Sequence, residues 1–292
     1  MTISVSIGHA TDQINRTGCT VIRFSEAVPC VVDVRGGAPG TRETDLLAPG
    51  KLVQRVDAIV LTGGSAFGLA TADGVMRRLR EEGRGFPTPA GPVPIVPTAV
   101  IYDLAVGNPV PPTPAMGYQA ATNTVPVAVS ARGRFGAGTG ATIDKLRGTP
   151  KPGGIGIASL TYGTANVTAI AVVNAVGAVA AALSANERRS LQAALLSSAM
   201  APRLGENTTL VAVLVDDDVD HNALHQVAVS AHDGVARAIV PCHTPFDGDL
   251  VFAASLRPES SSKPISIQCC VAVEMVVEQA IIDATKVSVS SV

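Results

Sequence analysis

Gly205-Glu206-Asn207-Thr208-Thr209-Leu210-Val211-Ala212-Val213 is the stretch from which the rest of the chain can be placed. A small polar turn runs into an apolar, β-branched segment that continues to Val215. A short apolar run bounded by a turn predicts a buried strand. Thr208 then stands at the mouth of a rigid element, directly after Asn207. A hydroxyl placed there can attack the carbonyl of the residue before it, pass through an ester, and leave Thr208 as a new N-terminus. A terminal threonine carries its own base, because a free α-amine has a pKa of roughly 7.7–8.0. Hydroxyl nucleophile and amine base on one residue is an established way to activate threonine. The competing reading is a plain loop-to-strand junction. Local sequence alone favours it, since Asn-Thr-Thr is a common tripeptide, so the rest of the chain has to decide.

The 292 residues suffice for one large domain or two small ones. Hydrophobic residues make up 47% and charged residues 16%, a globular composition. Trp is absent, aromatics are 3% and glycines number 28, so the core is built from Val, Ala, Leu and Ile. Small side chains let strands and helices approach closely, which suits a layered α/β packing. A formal net charge of -2 gives no electrostatic footprint for nucleic acid or a membrane surface. Five cysteines (Cys19, Cys30, Cys242, Cys269 and Cys270) have irregular spacing and no CxxC pair, which supports neither a zinc site nor a disulfide framework. Reduced thiols in a cytosol are the expectation. Met1 to Val5 lacks a basic region leading into a long apolar segment, so no secretion signal is expected. The run Ala169–Leu183 is broken by Asn174 and Gly177 and is shorter than the roughly 20 residues a spanning helix needs. A soluble, cytoplasmic protein follows.

Along the chain, Ile3–Ile7 reads as a strand and Gly8–Asp12 as a turn. Gly18–Phe24 and Ala27–Val34 read as the two strands of a hairpin. Arg35–Glu43 is a glycine-rich loop in which Gly36 and Gly37 permit positive φ. Asp57–Leu61 is a short strand followed by Thr62-Gly63-Gly64-Ser65 and a helix with Leu69, Ala72, Met76 and Leu79 on one face. Ser65 fits as the N-cap of that helix, since Gly63-Gly64-Ser65-Ala66-Phe67 is not a GxSxG nucleophile elbow. The proline-dense stretch Pro87–Pro114 resembles a linker, but its apolar middle, Ile95–Leu104, reads as a buried extended segment within one domain. Asn123–Ser130 is a further strand.

Gly136–Ala141 matches a GxGxxA dinucleotide fingerprint only formally. No strand leads into it, no amphipathic helix follows, and no acid stands about 20 residues on. Lys145 is not adjacent to the last glycine, so a Walker A loop fails as well, and a structural or active-site glycine loop is preferred. Gly154–Tyr162 and Asn166–Val173 read as paired strands around Gly163. Asn186–Met200 has helical spacing and leads through a polar-flanked segment to Thr208. Asp216-Asp217-Asp218-Val219-Asp220 lacks the glycine and distal glutamate of a calcium loop, and fits better as a cap for the next helix. Leu224, Val227, Ala228, Ala231, Val235, Ala238 and Ile239 form the stripe of that helix. His221 and His225 lie one turn apart on it without a third ligand, and read as part of a solvated face. His243-Thr244-Pro245-Phe246-Asp247-Gly248-Asp249 is a loop entering a strand, and Pro264–Ala284 is a final apolar helix. No cofactor or metal is expected.

Taken together, Gly8–Asp12, Arg35–Asp45, Leu61–Gly68, Val100–Leu104, Gly136–Lys145, Glu206–Val213 and His243–Asp249 resemble the L-aminopeptidase/D-esterase family. That group includes D-aminopeptidase A, the β-peptidyl aminopeptidases and nylon-oligomer hydrolase. The likeness spans nearly the whole chain, and it rests on the order and spacing of these stretches, no one of which is decisive. It implies a single domain over 1–292 with a four-layer α/β/β/α fold, like that of the N-terminal-nucleophile hydrolases but with a different chain route. It also implies self-cleavage between Asn207 and Thr208 into fragments 1–207 and 208–292 that stay together. By position, the resemblance assigns Thr208 as nucleophile and Tyr102 and Asn174 as hydrogen-bond donors to a tetrahedral intermediate. Lys145 becomes a lysine beside the nucleophile, where an ammonium lowers the pKa of the terminal amine. Asp247 and Asp249 become the pair that orients nucleophile and amine. Acids at i and i+2 of an extended segment share a face, so both can point at Thr208. Without the resemblance, Asp247-Gly248-Asp249 is a turn and Tyr102 a packed aromatic. Asn174 inside an apolar strand needs hydrogen-bond partners on any reading.

Family members with Ser as nucleophile carry a Ser/Glu pair in place of the two aspartates. The Thr/Asp/Asp set here is similar to the nylon-oligomer hydrolase branch. The implied activity is hydrolysis of small peptides, amino-acid amides or ω-amino oligomers by a homo-oligomer, commonly a tetramer of processed protomers. Two other classes compete: an acyltransferase of the ornithine acetyltransferase type, which also has a processed threonine, and a nucleotide-binding module using Gly136–Ala141.

Overall fold

The computed structural model describes residues 3–127, 132–197, 207–217, 219–257 and 265–286. Eight principal strands carry the fold: β1 (Val5–Asp12), β2 (Thr17–Val34), β3 (Arg55–Thr62), β4 (Thr98–Val100), β5 (Gly154–Tyr162), β6 (Ala165–Asn174), β7 (Thr208–Asp216) and β8 (Leu250–Ser255). Among the described residues five α-helices accompany them: α1 (Thr71–Glu81), α2 (Pro114–Thr122), α3 (Ala185–Ser197), α4 (His221–Ala238) and α5 (Ile267–Thr285). The strands hydrogen-bond in the order β4-β3-β2-β8-β7-β6-β5, with β1 on the first half of β2. Only β3–β4 and β7–β8 are parallel within this path.

The path folds over on itself, and β2 makes this possible. Its first half pairs with β1 and β3, and its second half, Cys30–Val34, pairs with β8. The hairpin expected over Gly18–Val34 is therefore one continuous strand. The polar interruption between Phe24 and Val28 is a register shift of the β3 pairing, not a turn. A bulge of this kind bends and twists a strand, letting it serve two sheets. Strand β1 likewise runs on through Gly8–Asp12, where a turn was expected.

Between the sheets lies a dry layer contributed by Ile7, Ile22, Phe24, Ile59 and Leu61 from one side and Ile157, Ile170, Leu210, Leu214 and Phe252 from the other. Helices α1 and α2 cover the outer face of the first sheet through Ala72, Val75, Leu79, Ala120 and Ala121. Helices α4 and α5 cover the second through Leu224, Val227, Ala231, Val273, Val277 and Ile281. The architecture is thus the four-layer α/β/β/α sandwich that the resemblance implies. Strand β7 shows why its sequence is apolar throughout. Leu210, Ala212 and Leu214 enter the inter-sheet layer, while Val211, Val213 and Val215 face the helices. A strand buried on both faces loses the polar/apolar alternation of a half-exposed one.

Several local expectations need correction. Ser65 is not a side-chain cap. Gly64 holds the N-cap position of a 3₁₀ turn, Ser65–Ala70, and Ser65 itself has φ 52°. Of Asn123–Ser130, only Thr124–Pro126 is a strand, and residues 128–130 lie outside the described set. His221 and His225 are half-buried, not solvated; their rings stack edge to face at 5.4 Å and both Nε2 atoms lack partners among the described residues. Asp220 does cap α4, accepting from the Ala223 N–H at 2.7 Å, while Asp218 lies outside the described residues. The helix expected over Asn186–Met200 is described as far as Ser197, and the segment from there to Glu206 lies outside. No described helix is long and apolar enough to cross a membrane. All five cysteines are free.

Candidate active site

The N-terminal end of β7 is where three chain segments converge. Antiparallel pairing with β6 puts Asn174 directly opposite Thr208. Parallel pairing with the β8 side brings Asp247 beside Asn207. Asn207, Thr208, Asn174, Asp247 and Asp249 are all at least 96% buried, so each polar atom there has to be satisfied or functional.

The carbonyl oxygen of the Asn207–Thr208 peptide accepts two hydrogen bonds. The Thr208 hydroxyl donates to the Asn207 carbonyl oxygen at 2.5 Å. The Gly248 N–H donates to the same oxygen at 2.8 Å. A hydroxyl and a backbone N–H therefore meet at one carbonyl oxygen, where two donors would stabilise developing negative charge. Glycine at 248 is a steric requirement. A Cβ there would lie 2.7 Å from Thr208 Oγ1 and 3.0 Å from the Ala38 carbonyl oxygen. Gly36 plays a matching part, since its Cβ would meet the Asp247 carbonyl oxygen at 2.2 Å and the Asp249 nitrogen at 2.4 Å. Neither Gly36 nor Gly37 is among the residues with positive φ, so close approach, not backbone freedom, explains that pair.

On the β6 side, Asn174 organises the remaining polar groups. Its Oδ1 accepts from the Thr142 N–H at 2.9 Å and from Lys145 Nζ at 3.2 Å, and its carbonyl accepts from the same Nζ at 3.0 Å. Its Nδ2 donates to the Tyr102 carbonyl oxygen at 3.1 Å. Lys145, Asn174 and Tyr102 are thus brought together next to Thr208. Tyr102, however, touches the cluster through its backbone, and its hydroxyl makes no hydrogen bond among the described residues.

The two acids sit where β8 begins but hold different partners. Asp249 Oδ1 accepts from the Thr209 N–H at 2.6 Å. Its Oδ2 accepts from the His243 backbone N–H and ring Nδ1, both at 2.9 Å. Asp247 Oδ2 accepts from the Thr244 N–H at 2.8 Å and the Thr244 hydroxyl at 2.6 Å. Burial raises the Asp247 pKa, and the neighbouring Asp249 charge raises it further. In the uncut chain neither carboxylate hydrogen-bonds to Thr208. Gly248, between them, faces its hydroxyl instead.

Sequence reasoning missed Gly248, Gly36, Thr142, Thr244 and His243 as parts of this site. The only available signal was their place inside stretches already singled out. The glycine loop at 136–141 is structural: the Gly136 N–H donates to Thr11 Oγ1 at 2.7 Å and the Ala137 N–H to Thr20 Oγ1 at 3.1 Å. Two amides that a phosphate would need are therefore already used. Among the described residues, no group of three or more His, Cys, Asp or Glu side chains is placed to hold a metal.

Known proteins are similar to this chain in sequence and in fold. The model of peptidase family S58 matches residues 3–292. An uncharacterized aminopeptidase of Mycobacterium tuberculosis is 45% identical over 256 residues, covering 81% of this chain and 72% of the relative. A 6-aminohexanoate-oligomer endohydrolase of Paenarthrobacter ureafaciens is 31% identical over 271 residues, covering 86% and 72%. Among solved structures, a Burkholderia sp. beta-aminopeptidase superposes with a TM-score of 0.72 at 20% identity, covering 96% of this chain and 84% of that one. An Ochrobactrum anthropi L-aminopeptidase D-Ala-esterase/amidase, described as a new variant among the Ntn hydrolase fold, gives 0.71 at 19% identity, covering 96% and 83%. At these identities the superpositions establish the fold.

Proposed function

Because the chain belongs to peptidase family S58 and is a hydrolase of amide bonds, we propose that it matures by cutting itself between Asn207 and Thr208 and then uses Thr208 as an N-terminal nucleophile. The observation that carries this reading is the Asn207 carbonyl, contacted at once by the Thr208 hydroxyl and the Gly248 N–H.

In the uncut chain the Thr208 nitrogen is an amide and cannot serve as base, so a neighbouring group has to take the hydroxyl proton. Lys145 and the two aspartates are the candidates. Addition of Oγ1 to the Asn207 carbonyl carbon puts negative charge on the oxygen that Gly248 already contacts. Collapse with breakage of the C–N bond, and protonation of the nitrogen, leaves an ester between Asn207 and the Thr208 side chain. One water hydrolyses that ester, giving a carboxylate on Asn207 and restoring the Thr208 hydroxyl beside the amine already freed. The amine then takes the hydroxyl proton itself, and the same oxygen attacks the substrate amide. Lys145 and Asn174 sit where they can stabilise charge on the substrate oxygen. Tyr102 contributes through the carbonyl that orients Asn174. Asp249 holds the Thr208–Thr209 junction through the Thr209 amide.

Fragments 1–207 and 208–292 stay associated, and the processed protomers form a homo-oligomer in the cytoplasm. The substrate is a short peptide or amino-acid amide with a free amino end. The 45% identity to a mycobacterial protein named as an aminopeptidase, against 31% to the oligomer endohydrolase, supports this over ω-amino oligomers. Mass determination on a denaturing gel tests the reading. Wild type should give two fragments, the shorter beginning at Thr208, and Thr208→Ala should remain one folded, inactive chain. Cleavage of Thr208→Ala at the same bond would refute it.

A further inference from the structure

Behind Asp249 runs a line of side chains that the reaction above leaves unassigned. His243 Nδ1 lies 2.9 Å from Asp249 Oδ2, its Nε2 lies 3.2 Å from His232 Nδ1, and His232 Nε2 lies 3.0 Å from the Asp33 carbonyl oxygen. The rings meet edge to face, with centroids 4.7 Å apart. His232 comes from the middle of α4, His243 from the loop before β8 and Asp33 from the end of β2, so three separate elements supply one chain of hydrogen bonds. His232 is 1% exposed.

The end points fix the protons. A carbonyl oxygen only accepts, so His232 Nε2 carries hydrogen toward Asp33. A carboxylate oxygen facing a ring nitrogen accepts as well, so His243 Nδ1 carries hydrogen toward Asp249. One more hydrogen must lie between His243 Nε2 and His232 Nδ1. Two rings with three N–H bonds in a line, two ends and one middle, would be neutral with only two. The pair therefore carries one positive charge. The surroundings put it on His243. Burial lowers the His243 pKa, but the hydrogen bond to Asp249, with the adjacent Cys242, outweighs this and takes it up to about 10. Burial lowers His232 to about 4 despite the Asp33 carbonyl, and the His243 and Arg35 charges work in the same direction. The charged and titratable groups facing the pair are Asp249, Cys242, Asp33 and Arg35, with Asp247 beside Asp249. His243 adopts φ 54°, a left-handed conformation uncommon for a residue with a side chain, which aims both its backbone N–H and its ring at one carboxylate oxygen.

We propose that His243, backed by His232, is a positioning residue: the pair shares one positive charge that holds the Asp249 carboxylate against the Thr208–Thr209 junction. The proposal rests on the reading of Thr208 as nucleophile with the acid pair serving it. The Asp249 carboxylate is met by His243 and the Asp247 carboxylate by Thr244; burial raises the pKa of Asp247, and the His243 charge lowers it against that effect.

The test combines two measurements on the full-length protein. In ¹⁵N NMR of histidine-labelled wild type, one ring should keep both nitrogens protonated from pH 6 to pH 8, and that signal should vanish in His243→Asn, a replacement that tolerates a left-handed backbone. With alanine p-nitroanilide as the probe, His243→Asn should lower kcat about tenfold or more. It should also move the acidic limb of kcat/KM upward by about one pH unit, as removing an opposite charge 4–6 Å from a carboxylate does. A residue that only packs would leave the limb in place. A His243 ring that loses a proton between pH 6 and pH 8, or an unmoved limb in a folded variant, overturns the proposal while leaving Thr208 as nucleophile intact. If His243→Asn does not fold, the wild-type NMR decides, with the ring assigned through His232→Gln. Cleavage of Thr208→Ala would instead overturn the underlying reading without touching the protonation result.

Discussion

Replacing Gly248 with alanine exchanges one hydrogen for a methyl group at a crowded point of the site. The new Cβ would stand 2.7 Å from Thr208 Oγ1, whereas ordinary contact begins at 3.4 Å, so about 0.7 Å of separation has to be found. The Ala38 carbonyl, at 3.0 Å, limits retreat to the other side. The Thr208 hydroxyl is the end of a side chain and can rotate, so the overlap should displace the nucleophile without unfolding the chain. Rotation breaks its 2.5 Å contact with the Asn207 carbonyl, and any backbone shift lengthens the 2.8 Å bond from the Gly248 N–H. Misplacement of a reacting group by about 1 Å is worth roughly 10²-fold in rate, or about 2.7 kcal/mol. Gly248→Ala should therefore accumulate as uncut chain, with fragment 208–292 appearing about 10²-fold more slowly on a denaturing gel. The far-UV spectrum should be unchanged, and any cut fraction should turn over amide poorly. Processing and turnover at wild-type rates would show that Thr208 Oγ1 is not used from the position it occupies here.

Thr209 points to the helix side of β7, and its buried hydroxyl has no partner among the described residues, so Thr209→Val should raise stability by about 1 kcal/mol in urea titration. His9 is a pH-dependent weak point, since burial lowers its pKa to about 4 in the folded chain. As pH falls from about 6.5 to 4, the unfolded chain takes up a proton that the folded one refuses. Stability should drop across that window by up to ~3 kcal/mol and then level off. Melting curves of His9→Gln should lose this component, and an unchanged acid sensitivity would exclude His9 as its source.

What could be read from the residues depended on whether one segment carried its own signal. Strand β7, the paired β5 and β6, and helix α4 announce themselves through an apolar run, a glycine turn and a stripe at helical spacing. Asn174 was recognisable because an amide inside an apolar strand demands partners, and it has Tyr102, Thr142 and Lys145. Strand β2 was misread because Ser25-Glu26-Ala27 looks like a hairpin turn, and only its two sets of neighbours reveal a bend. Gly36 was assigned to backbone freedom because local sequence cannot show a carbonyl arriving from residue 247. The same limit hid the His243–His232 contact, which joins the loop before β8 to the middle of α4. That Tyr102 meets Asn174 through its backbone carbonyl is likewise a matter of register, to which side-chain identity gives no clue.

Strands β7 and β8 are neighbours, and together they are wedged between β2 and β6. Both belong to the segment after residue 207, as do α4 and α5, which cover that sheet. A cut at 207–208 would thus yield two pieces threaded through each other, not two modules resting side by side. The longer piece without its companion would expose two bare strand edges and lose one whole helical layer. Maturation is then ordered in time: the chain has to be fully assembled before the bond can break. Afterwards the pieces should behave as a kinetically trapped heterodimer, resistant to dilution yet unable to regain its structure once denatured and separated. Its lifetime would be set by the rate of unfolding and not by an affinity between subunits.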